Sequence, residues 1–121
     1  MKPKPRQFLS DQEFFTAAWH WLITENHPRC ANPLGAVYRD GNMTCVMGAF
    51  IPDELYELRF PDEPITVLLD AYPEFRDWFR HLTPELMLAV EEVHNCPDES
   101  LATRRKKMRV IAVGWMLGVP T

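Results

Sequence analysis

The residues best suited to chemistry are Cys30, Cys45, His94 and Cys96. All four are zinc-type ligands, with His94 and Cys96 two positions apart and Cys30 and Cys45 fifteen apart. Structural zinc sites usually show a tighter paired spacing, and no Cys-x-x-Cys pair is present, so buried thiols are the favoured reading and zinc the alternative. Cys45 with His94 is the one pairing that would suit a thiol nucleophile and its base, and it would need an orienting carboxylate as well. The plain reading is a core cysteine and a histidine capping a helix end. The chain has no Gly-rich phosphate loop, no Gly-x-Ser-x-Gly and no zincin motif. No catalytic residue and no cofactor are assigned.

Two other constellations point to binding. Arg104, Arg105, Lys106, Lys107 and Arg109 crowd one predicted helix and could track phosphates. The net charge of −4 argues against non-specific nucleic-acid binding, and thirteen acids between Asp53 and Glu99 offer partners within the chain. A solvated or ion-paired face is therefore expected for the basic run. Phe14, Trp21, Tyr56 and Phe60 are the aromatic residues that the predicted helical faces account for least. Exposed aromatics would mark a protein-binding surface; the other reading is a second layer of core.

The elements that must hold these residues follow from capping and periodicity. Ser10-Asp11-Gln12-Glu13 is a capping box, with Leu9 and Phe14 at the staple positions. Phe15, Ala18, Trp19 and Leu22 give the helix behind it an apolar stripe, and Asn26 and Pro28 close it. Val37 and Arg39, then Asn42, Thr44 and Val46, read as two short strands turning at Asp40-Gly41, with Cys45 on the second and Gly48 ending or bending it. Proline followed by acid recurs at Pro52, Pro61, Pro73, Pro84 and Pro97, the composition of helix first turns. Helices are expected over Ile65 to Tyr72, through Phe75, Trp78, Phe79 and Leu82, from Thr83 to about Val93, and from about Asp98 to Leu117. The last should bury Leu101, Met108, Ile111, Ala112 and Trp115 and stop at Gly118. The expected fold class is α+β and mainly helical, several short helices with one small antiparallel β-hairpin, organised as a basic tail over 1–7 and one globular domain over 8–121.

Length and composition set the frame. A chain of 121 residues with 46% hydrophobic and 25% charged residues suits one globular domain that buries roughly two-thirds of its unfolded surface. Three cysteines cannot all pair, and Lys2 to Gln7 lacks the apolar core of a signal peptide, so free thiols in a reducing cytoplasm are expected. The longest apolar run, Cys45 to Ile51, is too short to span a bilayer, so no membrane is called for.

The stretch from Ala36 to Tyr56, with Tyr38-Arg39-Asp40-Gly41 and then Cys45-Val-Met-Gly-Ala-Phe-Ile-Pro-Asp-Glu-Leu-Tyr56, resembles small uncharacterised proteins of tailed phages, prophages and plasmids. In these a Cys and a Tyr-Arg precede a Gly turn, followed by Cys-Ala-x-Gly, Ile-Pro-Asp and Tyr, and a later helix often ends in His-Asp where this chain has His94-Asn95; Cys30 is the residue to match the first Cys, with Ala31 to Gly35 as extra loop. The resemblance implies a mobile-element origin and a small helical fold with a hairpin, and it implies no reaction. The reading drawn from all of this is an intracellular accessory protein that binds a host or phage protein, with inhibition of a host enzyme or defence factor one form this could take. A nucleic-acid-binding module using the basic helix is the alternative, and a Cys/His zinc protein or enzyme the third.

Overall fold

The computed structural model describes residues 7–28, 31–32, 35–36, 38–40, 43–56, 63–96, 98 and 100–120. Helix α1 (Asp11–Trp19) begins where the sequence places it, with Ser10 Oγ accepting the Glu13 N–H at 3.1 Å. The staple partner is different. Leu9 is 67% exposed, and Phe8 is buried instead, its ring edge-on to Phe14 at 5.7 Å and to Phe50 at 4.9 Å. After Trp19 the coil continues as one wider turn, His20–Thr24, in which the Glu25 N–H bonds the His20 carbonyl. It ends at Asn26, whose positive φ an asparagine tolerates.

The expected α+β class is overturned. The described residues are mainly helical, and the strands among them are two-residue pairs that build no extended sheet or hairpin. Backbone pairing is limited to two-residue contacts: Ala31 opposite Ala36, Asn32 opposite Gly35, Arg39 opposite Thr44 and Asp40 opposite Met43. Gly41, half of the expected turn, lies outside the described residues. The physical reason is at Cys45. It caps helix α2 (Val46–Phe50) rather than continuing a strand, with its Sγ accepting the Gly48 N–H at 3.2 Å. All five residues of α2 are buried, and Gly48 is required because a Cβ there would run into the Tyr38 carbonyl.

The remaining helices are α3 (Asp53–Tyr56), α4 (Ile65–Ala71), α5 (Pro73–Trp78), α6 (Pro84–Asn95) and α7 (Leu101–Trp115). Pro73 and Pro84 stand in the first turns of α5 and α6, as the proline–acid pattern predicts. Helix α6 is the centre of the fold: α1, α2, α4 and α7 all pack on it. Two side chains of α1 fix its neighbours' ends. The Asp11 carboxylate accepts from Thr83 N–H at 2.8 Å and from Thr83 Oγ1 at 2.7 Å, pinning the start of α6. Gln12 accepts the Gly118 N–H at 2.6 Å and donates to the Gly118 carbonyl at 3.0 Å, pinning the segment after α7. That clamp coincides with an unexpected stop. Met116, not Gly118, takes the left-handed conformation, and the Leu117 N–H closes onto the Ala112 carbonyl at 2.8 Å. No helix among the described residues is long and apolar enough to cross a membrane.

Candidate functional site

Helix α7 presents two faces of different chemistry. Ser100 caps it, accepting the Thr103 N–H at 3.3 Å. Asp98 accepts from Ser100 N–H and Thr103 Oγ1, bonds that hold its carboxyl below the usual range. The inner face carries Leu101, Arg104, Met108, Ile111, Ala112 and Trp115. Arg104 is the correction to the expected solvent-facing run: it is 1% exposed. Its Nη1 donates to the Leu22 carbonyl at 2.9 Å, Asn26 Oδ1 at 3.1 Å and the His27 carbonyl at 2.7 Å. A fixed cation thus meets the carbonyl end of the first helix, where the backbone dipole favours it.

His94, fully buried on α6, works beside Arg104. Its Nδ1 accepts the Val46 N–H at 2.8 Å, so the ring proton sits on Nε2, which donates to the Pro28 carbonyl at 2.9 Å. The ring joins the start of α2 to the segment after α1. Burial first, and the Arg104 guanidinium second, push its pKa down to about 4. One turn earlier, the Glu91 carboxyl lies 3.1 Å from the Ile65 N–H and 2.8 Å from the Tyr38 hydroxyl, which is also 2.6 Å from the Glu63 carbonyl. A hydroxyl carries one hydrogen. Both short contacts are satisfied together when Glu91 holds a proton and donates it to Tyr38, which then donates to Glu63. Burial pushes the Glu91 pKa up in the same direction.

These contacts decide what the chemistry-bearing residues can do. Cys45 and His94 are drawn together at the start of α2, but both ring nitrogens of His94 are engaged by backbone groups, so no lone pair is left to deprotonate the Cys45 thiol. Cys45 is buried and Cys96 partly buried, and Cys30 lies outside the described residues. Among the described residues no group of three or more His, Cys, Asp or Glu is gathered around a common point. The inner cluster is a set of struts between distant segments.

The outer face of α7 is different. Ala102, Arg105, Lys106, Arg109, Val110 and Val113 line one shallow depression. Their spacing is the three-and-four repeat of a single helix face, and Met116 extends it past the last turn. Val110 is 66%, Val113 81% and Met116 93% exposed. Among the described residues, Arg105, Lys106, Lys107 and Arg109 make no ion pair, so the expected pairing with mid-chain acids is absent there. Comparison with protein-family models, curated proteins and solved structures finds no match.

The aromatic candidates fall elsewhere. Phe14 is fully buried, its ring 6.0 Å from Phe50, and is core rather than surface. Trp21 is partly buried and stacks on His27 at 3.6 Å. Tyr56 is the last residue of α3, and Phe60 lies outside the described residues. The sequence reading names Arg104 only as part of an exposed basic run; the residues it missed are Glu91 inside, and Val110, Val113 and Met116 outside.

Proposed function

We propose that this chain is an accessory protein of phage type that acts in the host cytoplasm by binding a host or phage protein, with the outer face of α7 as its contact surface. The phage-type origin rests on the resemblance over residues 36–56. The binding reading is carried by one observation: three exposed aliphatic side chains, Val110, Val113 and Met116, share a helix face with Arg105, Lys106 and Arg109. Water gains nothing from contact with such aliphatics, and together they form the kind of patch that partners cover. The flanking cations select a partner surface that is acidic at its rim and apolar at its centre. A phosphate backbone would satisfy the cations and leave the valines uncovered, which ranks nucleic acid second.

The test is affinity capture from the natural host with nuclease present, comparing the native chain with Val110→Asp/Val113→Asp. The expected result is a protein that the native chain retains, that binds it again when both are purified, and that the double variant loses at unchanged melting temperature. Co-purifying nucleic acid that is released by Arg105→Gln/Lys106→Gln/Arg109→Gln, with a steep dependence on salt, would replace this reading with the second.

A further inference from the structure

A second surface, on the opposite charge balance, lies between α3 and α5. Pro52, Glu54, Leu55, Pro73, Glu74, Asp77 and Trp78 line a groove. Its floor is apolar and ring-rich, and three exposed carboxylates edge it. The Trp78 ring is fixed in place, its Nε1–H donating to the Phe50 carbonyl at 2.9 Å. Such a groove suits a segment that alternates proline with lysine or arginine: proline rings pack on tryptophan and on other prolines, and cations meet the carboxylates.

The chain itself carries that segment. Met1-Lys2-Pro3-Lys4-Pro5-Arg6 lies outside the described residues and ends at Gln7. Gln7 is anchored on the groove's own helix, its Nε2 donating to the Asp77 carbonyl at 3.2 Å and the Trp78 carbonyl at 3.0 Å. Phe8 is buried next to it. Gln7 therefore stands at the groove's edge. Six residues span about 20 Å when fully extended at about 3.3 Å each, more than the length of α5. In an extended chain, Lys2, Lys4 and Arg6 fall on one side and Pro3 and Pro5 on the other. Asp77 also meets Arg80 at 3.6 Å, an exposed pair that a second cation can join or displace.

We infer that the groove between α3 and α5 is the docking site of this chain's own N-terminal segment, prolines inward and cations toward Glu54, Glu74 and Asp77. The contact is intramolecular and independent of the α7 surface.

The experiment uses the full chain labelled with nitrogen-15, following the Trp78 indole and the Leu55 and Glu74 amides. Two variants alter only the tail: Lys2→Glu/Lys4→Glu/Arg6→Glu and Pro3→Gly/Pro5→Gly. Both are expected to move these three signals, leaving signals of α7 in place. Salt raised from about 0.05 M to about 0.5 M is expected to move the native chain's signals the same way. A free peptide of the first six residues should return the charge variant toward the native positions. Signals that stay put in both tail variants would overturn the assignment. So would shifts that grow with protein concentration, which would place the tail on a second copy.

Discussion

Arg104 and Arg105 stand side by side on α7 and meet opposite surroundings. Arg104 is sealed among the carbonyls of Leu22 and His27, and Arg105 lies open beside Val110 and Val113 on the outer depression. The difference is one of helix phase: a step of about 100° per residue carries the second arginine out of the buried stripe. The same guanidinium chemistry then serves two ends. Inside, a permanent charge can be held only by several acceptors, so Arg104 fixes where the end of the first helix lies. Outside, the charge is solvated and contributes little to stability, which leaves it free to choose a partner.

The widest contrast is in stability. Arg104→Ala leaves the buried Leu22 carbonyl without the guanidinium and weakens the hold on the His27 carbonyl and Asn26, and should cost about 3 kcal/mol or more, whereas Arg105→Ala should stay within about 0.5 kcal/mol. Urea unfolding of the two variants measures this. Equal costs would mean that the two faces are not distinct.

Acid tests the inner face through His94. Its pKa is lowered to about 4 in the fold against about 6.5 unfolded. The unfolded chain therefore binds the proton first. The stability tied to the neutral ring is complete above about pH 6.5 and is lost as pH falls toward 4, on the order of 3 kcal/mol in all. A second proton on the ring would also evict the Val46 N–H from Nδ1. His94→Ala should flatten this part of the stability profile and lower the profile as a whole. A variant that keeps the native slope would place the titration on another group.

Glu91 runs the other way. Its folded pKa is raised above 4.5, so its contribution is complete below about 4.5 and is lost as pH rises through the folded value. Glutamine copies the protonated carboxyl. Glu91→Gln should change stability by about 1 kcal/mol or less near pH 5 and should be relatively more stable at pH 8. Denaturant midpoints at the two pH values check it, and a loss at pH 8 larger than at pH 5 would show that Glu91 is an anion in the fold.

The smallest stability effect belongs to the outer face. Arg105→Gln/Lys106→Gln/Arg109→Gln should leave the denaturant midpoint unchanged within about 0.5 kcal/mol. A marked loss would mean that these cations hold the fold, as Arg104 does.

Parts of this contrast are legible in the sequence. The capping box at Ser10 to Glu13 and the prolines opening α5 and α6 locate three helix starts correctly. The stripe Leu101, Met108, Ala112, Trp115 fixes the inward side of α7, and Arg104 falls on that stripe, three residues after Leu101. Reading it as one of five clustered cations hides the phase that places it inside. The hairpin misreading has a different cause. Cys45 to Phe50 is a short apolar run buried on all sides, and such a run has no period to separate helix from strand. The roles of Glu91 and His94 are not encoded locally, because their partners are the Tyr38 hydroxyl and backbone groups at Ile65, Val46 and Pro28, remote segments joined only by the fold. The outer aliphatics are visible as Val110 and Val113 in the sequence, but only the packed helix shows which of its valines stay uncovered.

The central claim is that the outer face of α7 is a contact surface and that other exposed aliphatics are not. Site-specific photocrosslinking in living cells tests it directly, with benzoylphenylalanine placed at Val113 and, as the control, at Val67, which is exposed on α4. A discrete protein adduct is expected from position 113, absent from position 67 and lost when Arg105, Lys106 and Arg109 are changed to glutamine. No adduct at 113, or the same adducts from both positions, would contradict it.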